Sequence, residues 1–293
     1  MPKRRSLSET NHKLLEDSTI LQDTLAALRA ARGDLRVLEV GFGEGLALAE
    51  LAWQFRAGPG PAVEFFGVDK LHRDCAATRQ DLLRHAMNQG LVPSDAVELA
   101  APIELAFYDA TQLQCDDNSI DLIYSVMVVR FIEDKAQFLE EACRALRPGG
   151  VALVQVGESH WKYPPGTASD DLALTPHPSR LVLRYGRELV PLEAYLKLFE
   201  SDSLQFEFIN RPRCVLKIAK RQPCRLDLRL ALDRDHTVAM SRLPYRHGSG
   251  KSRGGIRSVY HVAPDVYRQL ASTSLRKSVA AESPRQAAGV HTT

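Results

Sequence analysis

Three glycines at alternating positions form the most informative pattern in the chain. They lie in the segment Glu39 to Gly45, Glu-Val-Gly-Phe-Gly-Glu-Gly, directly after the apolar run 36–40. Glycines between a strand and a helix let the backbone turn sharply and approach a ligand that a Cβ atom would exclude. A dinucleotide fingerprint, G-x-G-x-x-G, would need glycine at position 46, where this chain has leucine. The spacing G-x-G-x-G after an acidic residue suits an adenosyl cofactor, which has no pyrophosphate to bind at a helix N-terminus.

An acidic residue after the next strand favours a ligand site over a purely structural glycine turn. Asp69 follows the apolar run 63–68, after one intervening helix. In open α/β sheets, ligands bind outside the carboxyl ends of the strands, where a carboxylate can accept hydrogen bonds from ribose hydroxyls. A charged residue at a strand end is common, so Asp69 is informative only in combination with the glycine loop.

Apolar strands and amphipathic helices alternate through the first half of the chain. Strands are predicted at 36–40, 63–68, 103–107, 121–126 and 151–156, and helices at 13–31, 46–55, 74–89 and 134–146. Because a crossover between parallel strands needs a helix, this order predicts a doubly wound α/β fold. Farther along, a short helix is predicted at 191–199, an antiparallel pair at 204–209 and 213–219, and a possible third strand at 224–232.

The composition excludes several classes of protein. With 293 residues, 44% of them hydrophobic, the chain can bury a full core and is not disordered as a whole. It contains no apolar run of the ~18 residues that a membrane span needs. Its basic N-terminus lacks the apolar segment of a secretory signal. The 5 cysteines have no C-x-x-C spacing, which favours reduced thiols in the cytoplasm and predicts no metal site.

Changes in composition predict how the chain is divided. Residues 1–12 are expected to be flexible, 13–220 to form the α/β domain, 221–272 a C-terminal extension, and 273–293 a disordered tail. Within the domain, residues 157–190 are rich in Pro, Ser, Thr and Asp, which is typical of an insertion and suggests a substrate lid.

Several stretches together resemble the class I S-adenosylmethionine-dependent methyltransferases, and in particular the group that includes the ubiquinone and menaquinone C-methyltransferases. The matching stretches are 37–45, 66–71, 108–110, 117–125 and 146–150. They occur in the family's order and at its spacing. The resemblance implies S-adenosyl-L-methionine as the cofactor. It also implies a Rossmann-like sheet of seven mostly parallel strands, the last of them antiparallel.

The resemblance implies a role for each part of the site. The methionine end of the cofactor would contact Glu39, Gly41, Gly43 and Gly45. The ribose would be bound by Asp69. The adenine pocket would be formed by Leu71, Asp109, Ala110 and Leu113, with the Asp109 carboxylate accepting from the amino group. The sulfonium would face Tyr124 and Ser125.

The chain departs from the family pattern after the fourth strand. Relatives often carry a histidine pair where this chain has Val129-Arg130-Phe131. Neither an N-P-P-Y nor a D-P-P-Y motif follows that strand, which argues against methylation of adenine or glutamine nitrogens. The acceptor atom therefore stays open among oxygen, nitrogen and carbon.

Candidate acceptor-site residues follow the fourth and fifth strands. Methyl transfer from a sulfonium needs alignment and exclusion of water, and it needs a base only when the acceptor must lose a proton. His160 is the candidate base, although a histidine packed in a loop fits the sequence equally well. Trp161 and Tyr163 could form an aromatic wall or belong to the core. Arg130 could bind an anionic group of the acceptor or form a structural salt bridge.

The net charge of +2 conceals an acidic body and a basic tail. Residues 242–293 contain nine Lys/Arg and two Asp/Glu, a net of +7, and the remainder has a net of −5. Such a tail could bind RNA or could be a solvated extension. Three functions therefore compete: a small-molecule methyltransferase, an RNA methyltransferase anchored by the tail, and a cofactor-binding partner protein without transferase activity.

Overall fold

The computed structural model describes most of the first 227 residues and several short strands beyond them. The described residues are 5–56, 62–70, 75–94, 102–129, 132, 135–156, 174–177, 180–185, 188–191, 196, 199–210, 215–227, 237–241, 245–246, 252–253 and 257–261. Within these residues, every helix is too short or too polar to span a bilayer.

A seven-stranded sheet forms the centre of the protein. In chain order its strands are β1 (Leu35–Val40), β2 (Val63–Asp69), β3 (Ile103–Phe107), β4 (Ile120–Ser125), β5 (Leu146–Gln155), β9 (Leu204–Asn210) and β10 (Val215–Lys220). Their spatial order is β3-β2-β1-β4-β5-β10-β9. The first five strands are parallel, and β10 is antiparallel to both of its neighbours. The predicted doubly wound α/β fold is thereby confirmed, and the strand order reverses between β1 and β4.

Helices cover both faces of the sheet. They are α1 (Leu7–Leu14), α2 (Ile20–Ala31), α3 (Leu46–Phe55), α4 (Arg79–Asn88) and α5 (Lys135–Ala145). One apolar cluster contains Ile123, Phe138 of α5 and Ile218. The other contains Leu122, Tyr124 and the buried leucines of α1 to α4. Successive residues of β4 thus enter opposite clusters, as the alternation of side chains along a strand requires.

The N-terminal region differs from its prediction. Residues 1–12 were expected to be flexible, but α1 begins at Leu7, and the Leu7 and Leu14 side chains are buried. The single helix predicted at 13–31 is divided into α1 and α2 by a turn in which Asp17 has a φ of 52°. Within α1, Asn11 accepts a hydrogen bond from the Leu21 N–H, which positions α2. Polar caps and only two buried leucines made this packed helix look like a loose segment.

Other boundaries shift for local reasons. Helix α4 begins at Arg79 rather than near position 74, because Thr78 caps it by accepting a hydrogen bond from the Asp81 N–H. Strand β5 begins at Leu146, which pairs with Ile120 before a register shift. The segment 224–227 is not a strand, and the helix predicted at 191–199 lies largely outside the described residues.

Short strands occupy the predicted insertion and extension. Strands β6 (Leu174–His177), β7 (Arg180–Tyr185) and β8 (Glu188–Pro191) form an antiparallel sheet. Strands β11 (Thr237–Ser241) and β14 (Arg257–His261) pair with each other, as do β12 (Tyr245–Arg246) and β13 (Ser252–Arg253). Because β11 lies against β6 and β7, segments that the sequence assigns to separate regions are in contact.

A buried carboxylate joins several segments at the amino end of β4. Asp121 is fully buried and accepts from the Arg36 N–H at 2.9 Å. The guanidinium groups of Arg32 and Arg147 also donate to it, each at 3.2 Å. This cluster lies at the end of the strands opposite the glycine loop, so it stabilises the sheet without contributing to a ligand site.

Replacing Asp121 with alanine should lower the free energy of unfolding by about 3 kcal/mol, because it leaves a backbone N–H and two guanidinium groups without their acceptor. Urea denaturation followed by circular dichroism measures this loss. Glu64→Gln is the control, since it breaks the exposed Arg36–Glu64 pair and should cost no more than about 0.5 kcal/mol. Equal losses in the two variants would contradict the assignment.

Candidate functional site

A cavity of about 410 Å³ opens at the carboxyl ends of the parallel strands. Its wall comes from the ends of β1 to β4 and from the N-terminal segment, and consists of Arg5, Val40, Gly41, Gly43, Val68, Asp69, Lys70, Tyr108, Asp109, Ala110, Met127, Val128 and Ile132. This is the point where the strand order reverses, which is where open α/β sheets bind ligands. Its volume lies within the ~300–1,000 Å³ that is usual for small-molecule sites.

The three glycines of the loop have left-handed backbones but different neighbours. Their φ angles are 80° at Gly41, 56° at Gly43 and 75° at Gly45. A Cβ atom at Gly41 would overlap Val128, and one at Gly45 would overlap Leu82 of α4. A Cβ atom at Gly43 would meet nothing within 4 Å. Gly45, which was predicted to bind the cofactor, does not line the cavity and instead lets α3 pack against α4.

Asp69 lies in the cavity wall and holds the glycine loop. One of its carboxylate oxygens accepts from the Gly43 N–H at 2.7 Å, and the other accepts from the Lys70 N–H at 2.7 Å. An ionised carboxylate offers about four acceptor positions. The group therefore fixes the loop and, because it lies in the cavity wall, places carboxylate oxygens where a ribose would bind.

Asp109 lies beside Asp69, at the end of the neighbouring strand. Its carboxylate is 2.6 Å from the Lys70 ammonium and accepts from the Thr111 N–H and hydroxyl at 3.0 and 2.9 Å. Partial burial alone would raise the pKa of Asp109, but the bonds from Lys70 and Thr111 outweigh it and hold that pKa below its ordinary value. Asp109 is thus an ionised acceptor, as binding an adenine amino group requires, and Ala110 lines the cavity next to it.

Glu39 is fully buried and does not itself line the cavity. Its two oxygens accept from Arg5 Nη2 at 2.8 Å and from the Tyr124 hydroxyl at 2.9 Å. Burial raises the pKa of Glu39 from 4.5 to about 7, against the charge of Arg5 and the hydrogen bond from Tyr124. Arg5, which no sequence pattern singled out, occupies the cavity wall instead. No strand or glycine pattern surrounds it, so it carries no signal in the sequence.

Tyr124 and Ser125 do not face the cavity, contrary to prediction. The side chain of Tyr124 points into the apolar cluster formed with α1 to α4, where its hydroxyl reaches Glu39. Ser125 is fully buried. The wall at this strand is formed two and three residues later, by Met127 and Val128. Leu113 is likewise buried in the core rather than placed in the wall.

A strained turn places Met127 at the cavity. Its φ is 64°, which is uncommon for a residue other than glycine. The Met127 N–H donates to the Gln155 side chain at 3.1 Å, which ties the turn to the end of β5. The next residue, Val128, fills the space that a Cβ atom at Gly41 would need. The glycine loop and the turn after β4 are therefore fitted to each other.

Five predicted site residues lie outside the described part of the chain: Leu71, Arg130, His160, Trp161 and Tyr163. Their roles stay predictions. Among the described residues, no group of three His, Cys, Asp or Glu side chains could hold a metal ion.

The residues present fit an adenosyl ligand. The cavity offers two neighbouring carboxylates, Asp69 and Asp109, at the ends of adjacent strands, and open space at Gly43. Residues 38–154 match the family model described as a methyltransferase domain. This part of the chain therefore contains a methyltransferase domain, and the residues of the cavity fit S-adenosyl-L-methionine as its cofactor. The finer resemblance to quinone C-methyltransferases stays a prediction.

Two solved methyltransferase structures are similar to parts of this chain. One is phosphoethanolamine N-methyltransferase 1 of Haemonchus contortus, with 18% identity, a TM-score of 0.39, and coverage of 75% of this chain and 48% of that chain. Another is an arsenic(III) methyltransferase of Chlamydomonas reinhardtii, with 26% identity, a TM-score of 0.30, and coverage of 41% and 38%. The chain thus spans about half the length of these proteins or less, and the similarity carries no argument about its acceptor.

Gly43→Ala should weaken binding of S-adenosylhomocysteine at least tenfold, because the added methyl group would occupy the volume in which the ligand binds. Gly90→Ala is a matched control: Gly90 also has a positive φ, of 67°, and open space around it, but lies outside the cavity wall. Both variants should lose about 1 kcal/mol of stability from the left-handed backbone. Calorimetric titration tests the difference, and an equal effect on affinity would exclude Gly43 from the binding loop.

The raised pKa of Glu39 predicts a pH dependence of stability. Between pH 4.5 and about 7, the folded chain retains a proton that the unfolded chain has released, so the contribution of Glu39 to stability falls as the pH rises. Glu39→Gln removes this titration. The stability of the wild type relative to that of the variant should therefore decline across this window, as measured by urea denaturation at successive pH values. Parallel profiles would show that Glu39 titrates normally.

Proposed function

We propose that this protein transfers the methyl group of S-adenosylmethionine to an O, N or C atom of a small-molecule acceptor. The observation that supports it is the cavity at the strand reversal, where the glycine loop, Asp69 and Asp109 meet within a methyltransferase domain. S-adenosylmethionine supplies a methyl group already activated by its sulfonium.

The chain's own residues would first orient the cofactor. Asp69 would accept from the ribose hydroxyls while its bonds to Gly43 and Lys70 hold the loop in place. Asp109 would accept from the adenine amino group, with Ala110 beside it. Because Asp69 is already bonded to the glycine loop, the same carboxylate aligns ribose and loop and limits the freedom lost on binding.

The remaining wall would exclude water from the transfer. Val40, Met127, Val128 and Ile132 present apolar surface to the cavity. A displacement at an activated methyl group depends on alignment and on a dry site. The described wall contains no histidine or cysteine, and its two carboxylates are engaged in binding. Where the acceptor must lose a proton, the base would therefore come from the segment after β5, where the sequence suggests His160.

The segment 157–190 would form the acceptor side of the site. It follows β5 directly, and β5 ends beside the turn that carries Met127. We expect it to cover the cavity and bind the acceptor. The RNA methyltransferase alternative depends on the charge of residues 242–293 alone, and the non-catalytic alternative has no specific observation in its favour.

A labelling experiment tests this function. The protein is incubated with methyl-labelled S-adenosylmethionine and a cell extract, and the label is then separated into small-molecule, RNA and protein fractions. Label in the small-molecule fraction is expected. Label in RNA that disappears when residues 242–293 are deleted would favour the anchored RNA methyltransferase, and no transfer to any fraction would favour the non-catalytic protein.

Asp69→Asn should weaken S-adenosylmethionine binding at least tenfold, or ~1.4 kcal/mol. It replaces one carboxylate oxygen by an amide nitrogen, which cannot accept a hydrogen bond from the ribose or from the Gly43 N–H. Isothermal titration calorimetry measures the affinity. Glu207→Gln provides the control, since it removes an exposed carboxylate on β9 paired with Lys217 and should leave binding unchanged. Unaltered affinity in the position 69 variant would refute the placement of the ribose.

A further inference from the structure

Arg5 lies in the cavity wall, and its presence there is not explained by the glycine loop or by the carboxylates at the strand ends. It directly precedes α1, whose start is fixed at two points. Ser6 caps the helix by accepting from the Glu9 N–H, and the Leu7 N–H donates to the carboxylate of Glu50 in α3 at 2.5 Å. Because α1 packs against α3, the N-terminal segment brings Arg5 to the loop from which α3 begins.

The Arg5 guanidinium is held by the protein but not fully used. Nη2 donates to Glu39 at 2.8 Å and to the Gly41 carbonyl at 3.0 Å, and Nη1 donates to the Val126 carbonyl. These bonds use three of the five N–H groups of an arginine. Its Nε is buried and has no hydrogen-bond partner among the described residues. The side chain as a whole is 16% exposed and lines the cavity, so the guanidinium can donate to a ligand bound there.

Negative and positive side chains lie on different sides of the cavity. Asp69 and Asp109 follow β2 and β3, and Lys70 is already paired with Asp109. Arg5 instead contacts the ends of β1 and β4, through Gly41 and Val126. A nucleoside bound by the two aspartates would therefore extend its 5′ substituent toward β1 and β4, where Arg5 provides positive charge.

We propose that Arg5 binds the α-carboxylate of the methionine part of the cofactor. This inference rests on the proposed function, because it takes the nucleoside to be placed by Asp69 and Asp109. Hydrogen bonds between a guanidinium and a carboxylate are charge-assisted and therefore strong. Glu39 is then a positioning residue, since it reaches the ligand only by orienting Arg5. This role explains why an acidic residue precedes the glycine loop although Glu39 itself lies outside the cavity wall.

Two ligands that differ in the amino-acid part provide the test. S-adenosylhomocysteine carries the carboxylate, whereas 5′-deoxy-5′-methylthioadenosine has the same nucleoside and sulfur without the amino acid. Calorimetric titration of the full chain gives the dissociation constant of each. In Arg5→Met, S-adenosylhomocysteine should bind at least tenfold more weakly, and methylthioadenosine should change by less than twofold. Arg84→Met, which alters an exposed ion pair on α4, should change neither constant.

If Arg5→Met does not fold, Arg5→Lys repeats the comparison in a variant that keeps the positive charge. Its affinity for S-adenosylhomocysteine should also fall by more than its affinity for methylthioadenosine. Equal effects on the two ligands, or no effect on either, would overturn the role of Arg5 while the wild type still binds both. Failure of the wild type to bind either ligand would instead contradict the proposed function and this inference with it.

Discussion

The buried carboxyl group of Glu39 is the constraint around which the site is built. A carboxyl group enclosed at a strand end is unfavourable unless both of its oxygens have partners. Arg5 satisfies one oxygen and Tyr124 the other. Because these partners come from the N-terminal segment and from β4, one side chain joins three separate parts of the chain immediately before the glycine loop.

The glycine loop is held in place by protein contacts before any ligand is considered. The Gly41 N–H donates to the Val68 carbonyl at 2.6 Å, the Gly43 N–H to Asp69 at 2.7 Å, and the Ala76 N–H to the Gly43 carbonyl at 2.9 Å. Val128 then closes the space beside Gly41. A loop fixed in this way loses little conformational freedom when it binds, and methyl transfer depends above all on such alignment.

The second half of the chain adds an arrangement of its own. Strand β11 of the C-terminal extension lies against β6 and β7, which belong to the segment after β5. The extension is therefore in contact with the same segment that we propose to cover the acceptor.

Sequence pattern was sufficient for the alternating strands and helices, the glycine loop and the position of Asp69, whereas Asp109 was indicated by the family resemblance. These features depend on local rules: apolar periodicity, the φ angles that only glycine adopts readily, and polar residues at strand ends. Arg5, Met127 and Val128 could not be placed in the cavity wall this way, because contacts between distant segments bring them there. Tyr124 was wrongly assigned to the cavity because the alternation of side chains along a strand shows that neighbouring residues lie on opposite faces. It does not show which face of the sheet each residue occupies. The packing of α1 against α3 brings the N-terminal segment to the glycine loop. The hydrogen bond to Glu39 fixes the direction of the Tyr124 side chain.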